Sequence, residues 1–284
     1  MMAGEPPQTQ TGVPLPNPAA KKEPGEGQGS VPTEELVSWL AAELQSERFR
    51  DYCPNGLQVE GRPVIRHIIA GVTASEAIIR HAISVGADTL LVHHGWFWKN
   101  EDPRVRGIRR TRLALTLGHD LNLLAYHLPL DAHPVLGNNA QLARVLGITP
   151  NRVDGKPEQT GSDGLIWLGQ ADGIRTLGAL ADHVAQRLQR APLLVGDPNQ
   201  PVSRIAWCTG AAQGMLQDAI DAGADAYITG EVSEPTVHLA RESGVGFLSA
   251  GHHATERYGV QALGEAIASK FGVRVDFVDI NNPV

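Results

Sequence analysis

Cysteine is nearly absent: the 284 residues hold two, Cys53 and Cys208, far apart and without the short spacing of a thiolate metal site. That argues against a disulfide-framed secreted domain and fits two reduced thiols in a cytoplasmic protein. Positive charge is also scarce. Against 31 Asp and Glu there are 24 Lys and Arg, a formal net charge of −7, which argues against a protein that coats nucleic acid or an anionic membrane and leaves room only for a local basic patch. No apolar run approaches the ~20 residues that span a bilayer. What remains, 42% hydrophobic and 19% charged, is the composition of a soluble globular protein long enough for two domains.

Large apolar residues are scarce in the first thirty positions, which are rich in Pro, Gly, Gln and charge. Such a segment cannot bury enough surface to offset its ordering entropy, so residues 1–30 are expected to be a disordered tail. They have neither the apolar core of a secretory signal nor the Arg-rich, acid-free character of a transit peptide.

Beyond the tail, "TEELVSWLAAEL" predicts a helix with Thr33 as N-cap and Glu34 and Glu35 at its positive end. Short apolar runs then alternate with helical patterns: strands at "IRHIIAGV", "DTLLVHH" and "LNLLAYH", helices at "SEAIIRHAISVG" and "GIRRTRLALTLGHD". That alternation predicts an α/β fold with largely parallel sheets. The pattern recurs. The 28 residues from Ile68 align without a gap on those from Ile205 with seven identities, among them Gly86–Asp88 on Gly223–Asp225. Further on, "AYHLPLD" (Ala125–Asp131) aligns on "AGHHATE" (Ala250–Glu256). The expectation is therefore two similar α/β units, 31–150 and 151–284, with a site between them. Which sheet takes the last strand, "VRVDFVDI", is open.

Ligands of parallel α/β units bind at the carboxyl edge of the strands. At such edges stand His93 and His94, then Asp131, then His252 and Glu256, the last two one helical turn apart on a common face. Adjacent residues of a strand point to opposite faces. Either one of His93 and His94 is idle, or the strand ends there and both turn to one site. "GHHATE" could equally be a helix start with His, Thr and Glu as capping groups. Three strand ends that together offer three imidazoles and two carboxylates, without thiolate, favour a divalent metal such as Zn, Mn, Fe, Co or Ni. Five ligands are too many for one catalytic ion and suit two, with Glu256 as the bridge; a pair about 3.5–4 Å apart can generate hydroxide and hold a phosphoryl or carbonyl oxygen. Glu231, in "TGEVSE", is a candidate support for the ligands. Trp96, Phe97 and Trp98 are candidates for stacking on a flat base, Trp96 and Phe97 foremost, and Arg109 and Arg110 for holding phosphate oxygens; core packing and a solvated helix face are the ordinary alternatives.

Together "VTAS", "VHHGWFWK", "YHLPLDAHPVLGNNAQLA", "ITGEVSE" and "GHHATER" resemble the GTP cyclohydrolase I type 2 family, the NIF-three-like dinuclear-metal proteins, from Cys53 to the C-terminus. The resemblance implies two α/β domains per subunit, a toroidal homohexamer, and two divalent ions held by His93, His94, Asp131, His252 and Glu256. It also implies a histidine near the metals at His127, as ligand or support. Longer members carry an extra domain between the halves, for which this chain lacks the length. The family name implies opening of the guanine imidazole ring of GTP with release of formate, by hydroxide generated at the metals. A nucleotide phosphohydrolase with an Arg clamp and a non-catalytic metal-binding scaffold are the competing readings.

Overall fold

The structure is a computed structural model that describes residues 29–284; the tail expected over 1–30 lies, but for its last two residues, outside the described residues. The strands of the two main sheets and the helices are numbered here in chain order. Helix α1 (Thr33–Leu44) leads to β1 (Gly56–Val59), β2 (His67–Thr73), α2 (Glu76–Ser84), β3 (Thr89–His94), α3 (Gly107–Gly118), β4 (Asn122–Ala125), α4 (Leu128–Ala132) and α5 (Asn138–Leu146). Then come β5 (Ile148–Pro150), β6 (Gln159–Thr160), β7 (Ile166–Ala171), α6 (Leu177–Leu188), β8 (Leu193–Val195), β9 (Ile205–Trp207), α7 (Leu216–Asp221), β10 (Ala226–Thr229), α8 (Glu234–Ser243), β11 (Gly246–Ser249), α9 (His252–Phe271) and β12 (Arg274–Phe277). Thr33 is not the cap of α1. It is the first helical residue, and its hydroxyl donates instead to the Arg62 carbonyl at 2.7 Å, tying the helix to the entry of β2.

The first sheet runs β12-β2-β3-β4-β1, parallel except at β1. Alternate residues of its strands feed two cores. Ile68, Ala70, Leu91 and Leu124 pack under Leu36, Leu40 and Leu44 of α1 and Val260, Leu263 and Ile267 of α9. Ile69, Leu90, Val92 and Leu123 pack under Ile78, Ile79 and Ala82 of α2. The second sheet runs β6-β7-β9-β10-β11-β8, with β5 also on β7; only β9, β10 and β11 are mutually parallel. Its added strands β5, β6, β7 and β8 make the antiparallel pairs, β5 and β6 with β7, β7 with β9 and β8 with β11.

The last strand crosses back: β12 pairs with β2 in parallel, from Arg274 opposite His67 to Phe277 opposite Ala70. Since α9 packs with the first core, a division at residue 151 does not follow the cores. The second sheet is inserted between α5 and α9, and the helix bearing His252 and Glu256 sits on the first sheet while α5 packs against both α9 and α6. Among the described residues no helix is long and apolar enough to cross a membrane.

The internal repeat has a structural cause. Asp88 Oδ2 accepts the backbone N–H of Arg66 (2.7 Å) and His67 (3.0 Å), and Asp225 Oδ2 accepts those of Ser203 (2.9 Å) and Arg204 (2.8 Å). In each copy the Asp that follows the helix clamps the start of the neighbouring strand. That satisfies two amides the sheet leaves unpaired and fixes where the strand's other end, leading to Thr73 in one copy and Gly210 in the other, comes to lie.

Candidate metal centre

His93 and His94 close β3, and the strand runs through both. They alternate across the sheet, so a common partner has to lie beyond the strand's end. Glu256 is that partner. Its Oε1 lies 3.6 Å from His93 Nε2, and its Oε2 lies 3.2 Å from His94 Nε2 and 3.0 Å from His252 Nε2. Asp131 Oδ1 is 3.4 Å from His93 Nε2. Two overlapping groups result, His93 with Asp131 and Glu256, and His94 with His252 and Glu256, each with its donor atoms within 4.8 Å of one another. Glu256 belongs to both. All five residues singled out at the strand ends are thus brought together.

Each imidazole is oriented from behind. His93 Nδ1 meets the Tyr126 carbonyl at 2.9 Å, and His94 Nδ1 lies 3.2 Å from the Thr73 hydroxyl. His252 Nδ1 donates to Glu231 Oε1 at 2.7 Å, so Glu231 orients that imidazole. His127, the repeat counterpart of His252, donates from Nδ1 to Asp51 Oδ1 at 2.6 Å. Asp51 also accepts the N–H of Tyr52 and Leu128 and the amide of Asn55, and although burial opposes its charge, these bonds and His127 hold its carboxyl below the usual range. An ionised Asp51 can only accept, so the His127 proton sits on Nδ1 and Nε2 is left free. Rings of His93 and His94 lie 5.2 and 5.7 Å from that of His127.

Burial and charge pull these groups apart. Burial disfavours charge on His93, but Asp131 and Glu256 outweigh it and push its pKa up to about 10. Burial drives His94 down to about 3, with the neighbouring His93 and His252 adding to the effect of burial against Glu256. His252 rises to about 9, burial being overcome by Glu256 and Glu231. Burial raises Asp131, whereas the imidazoles around Glu256 overcome its burial and hold it well below the carboxylate range. One shell, buried at His93, Asp131 and Glu256 and half-buried at His94 and His252, that holds carboxylates and imidazoles in such different states is what a cation would even out.

The residues fit a metal. Glu256 Oε2 is buried and has no hydrogen-bond partner, although two imidazole nitrogens lie at 3.0 and 3.2 Å, out of line for a hydrogen bond. A buried carboxylate oxygen is rarely left orphaned. Gly210 holds the other oxygen in a cradle, since a Cβ there would lie 2.0 Å from Glu256 Oε1. The donors are nitrogen and oxygen only, the set of borderline divalent ions. A cavity of about 250 Å³ opens onto His94, His252 and Glu231, walled by Thr73 and by Asn282 and Val284 of the C-terminal segment.

The aromatic and basic candidates fare differently. Trp96 is buried in the core under α2 and its indole donates to the Ala74 carbonyl at 2.9 Å, so it has no face for a base. Phe97 takes a left-handed backbone (φ 65°) that reverses the chain, and its ring carries the Arg109 guanidinium at 5.7 Å. Arg109, in the first turn of α3, is further bound to Glu101 at 2.8 Å and to the Asp102 carbonyl, both in the loop before the helix, and Arg110 is exposed on α3. The ring that does reach the site is Trp98, 5.0 Å from His127 and 5.9 Å from His94. Sequence reasoning passed over Asp51, Thr73, Asn138, Thr209 and Gly210. Thr73 and Gly210 occupy equivalent positions of the repeat, which is the signal that could have found them; Asp51 leaves none, being 76 residues from its partner.

A mixed α/β protein with two sheets and, between them, an all-nitrogen-and-oxygen cluster that could hold a metal is the class that fold and site define. The profile of the Duf34/NIF3 (NGG1p interacting factor 3) family matches residues 31–283, and the chain belongs to that family. Among its relatives, a "GTP cyclohydrolase 1 type 2 homolog" of Pseudomonas aeruginosa is 54% identical over 248 residues, 87% of this chain and 97% of that protein. One of the same description from Neisseria meningitidis serogroup B is 52% identical over 249 residues, covering 88% and 98%. Among solved structures, that of protein ybgI, described as of unknown function, is 46% identical with a TM-score of 0.84 over 89% of this chain and 100% of that one. TTHA1606 from Thermus thermophilus is 34% identical with a TM-score of 0.77, covering 89% and 100%.

Proposed function

We propose that the protein is a hydrolase that depends on two divalent ions, one held by His93, Asp131 and Glu256 and the other by His94, His252 and Glu256. One observation carries this: a buried carboxylate, Glu256, shared by two donor groups and left with an unsatisfied oxygen between His94 and His252. When bound, such ions supply a Lewis acid and lower the pKa of water toward neutrality. The chain's own groups do the rest. Glu231 and Thr73 fix the imidazoles of His252 and His94, His127 presents a free Nε2 toward the cluster, and the cavity beside His94 admits substrate. Three donors to each ion leave open positions, as a catalytic site needs and a scaffold does not.

The substrate class in this reading is a purine nucleotide, with GTP foremost, in line with the description its relatives carry. An arginine clamp on phosphates, which a phosphohydrolase would need, loses support because Arg109 is already engaged by Glu101 and Phe97. Assembly into a homohexamer belongs to the same reading, and light scattering tests it. A cytoplasmic location is supported by the two free cysteines. The test of activity is direct: protein loaded with Zn or Mn is incubated with GTP, and formate is measured. Metal-dependent formate release is expected. Metal retention without any formate would discard the cyclohydrolase in favour of the scaffold.

A further inference from the structure

Two neighbouring asparagines open α5, and both are fully buried. Asn139 serves the second unit: its amide donates to the Leu165 carbonyl at 2.8 Å, its Oδ1 accepts the Thr209 N–H at 3.1 Å, and its carbonyl accepts the Trp207 indole at 3.0 Å. Asn138 faces the other way. Its Nδ2 donates to Asp131 Oδ1 at 2.8 Å and lies 3.5 Å from His93 Nε2, while its Oδ1 accepts the N–H of Gly259, in α9, at 3.0 Å. Gly259 is one turn past Glu256 on the same helix.

We infer that Asn138 is the positioning residue of the metal centre, the single amide that fixes Asp131 on the first unit against the helix carrying Glu256. The inference rests on the metal reading above. Its logic is directional. The Gly259 N–H can only donate, so the Asn138 oxygen has to face α9, and the amide's NH2 is thereby turned onto Asp131. A flipped amide would set its NH2 against the N–H of Gly259 and its oxygen against a carboxylate. Asp131, buried among acidic and basic groups, therefore receives a neutral donor that fixes the position of one of its oxygens. Thr209 adds a longer bond to the same oxygen, 3.3 Å from its hydroxyl.

Position 259 is adapted to the same contact. A Cβ there would lie 2.3 Å from Asn138 Oδ1 and 2.9 Å from its Cγ. Gly259 is a glycine inside a 20-residue helix, where glycine is destabilising against alanine. Close approach of the Asn138 amide accounts for that cost.

The test perturbs one amide from two elements. Zn(II) is titrated, in competition with a chromophoric chelator, into full-length wild type, Asn138→Ala, Gly259→Ala and Asn139→Ala, each first checked for cooperative unfolding in excess chelator. Loss of an outer partner of a metal ligand weakens affinity by about 10–100-fold. Asn138→Ala and Gly259→Ala should each show such a loss, and the double variant should be no worse than the weaker single, since both act through the same contact. Asn139→Ala, equally buried but reaching Asp131 only through the longer Thr209 bond, should lower stability and cost the folded protein less zinc affinity than either of the other two. Wild-type zinc affinity in Gly259→Ala and Asn138→Ala, or an equal loss in Asn139→Ala, would overturn the assignment. If Asn138→Ala does not fold, Gly259→Ala against Asn139→Ala decides alone. A wild type that takes up one ion would end the two-ion reading and leave this one standing, because the comparison is of affinity at the ion Asp131 touches; a wild type that binds no zinc would overturn both.

Discussion

Replacing Gly210 by alanine should empty the metal centre while leaving the fold in place. Gly210 has a left-handed backbone (φ +68°), which costs an alanine roughly 1–2 kcal/mol. Its Cβ would lie 2.0 Å from Glu256 Oε1 and 3.2 Å from His252 Nε2. Side-chain carbons do not approach other heavy atoms within 3.0 Å, so the carboxylate has to retreat by about 1 Å (3.0 − 2.0). The helix that carries it cannot follow, because Val260, Leu263 and Ile267 are fully buried against the first sheet. Glu256 must therefore rotate away from the imidazoles it now meets at 3.0 to 3.6 Å. Metal–ligand distances tolerate about 0.2 Å, so at least a tenfold loss of metal affinity is expected. At about 2–4 °C per kcal/mol for a chain of this size, the backbone strain lowers Tm by about 2–8 °C. The assay is elemental analysis after gel filtration, with thermal melts in chelator. Gly214→Ala is the control, since a Cβ there meets nothing within 4 Å. Wild-type metal content in Gly210→Ala would refute the placement of Glu256 at the centre.

Two further outcomes are expected. Asp88→Ala and Asp225→Ala each strand two backbone N–H groups, a loss of about 2–6 kcal/mol at 1–3 kcal/mol per group; chemical denaturation should rank Asp88→Ala the more damaging, because Asp88 is the more buried and also holds Arg62 at 2.8 Å. Burial pushes the Cys53 thiol up to about 12, with Asp51 adding to it, and raises Cys208 further. Both should therefore resist iodoacetamide at pH 8 and be labelled at the rate of unfolding; fast labelling of the native protein would contradict their burial.

Much of the site could be read from the sequence because the repeat places its ligands at equivalent strand ends. His127 aligns with His252 and Asp131 with Glu256, and the shared Gly-Ala-Asp marks the clamp that begins each neighbouring strand. The rest depended on contacts with no local pattern. Asp51 reaches His127 across 76 residues, and Asn138 reaches Gly259 across 121. Which of three aromatics faces the histidines depends on one left-handed residue, Phe97, which sends Trp96 into the core and Trp98 to the site. The return of β12 to the first sheet was equally illegible, because an alternating strand of four residues carries no mark of which sheet it completes.

The central claim is a two-ion centre bridged by Glu256, and elemental analysis of metal per chain tests it most directly. Wild type purified without chelator should hold close to two divalent ions. Glu256→Ala, which removes the donor common to both groups, should hold almost none and still unfold cooperatively. Glu256→Ala that keeps both ions, or wild type that holds none, would contradict the account.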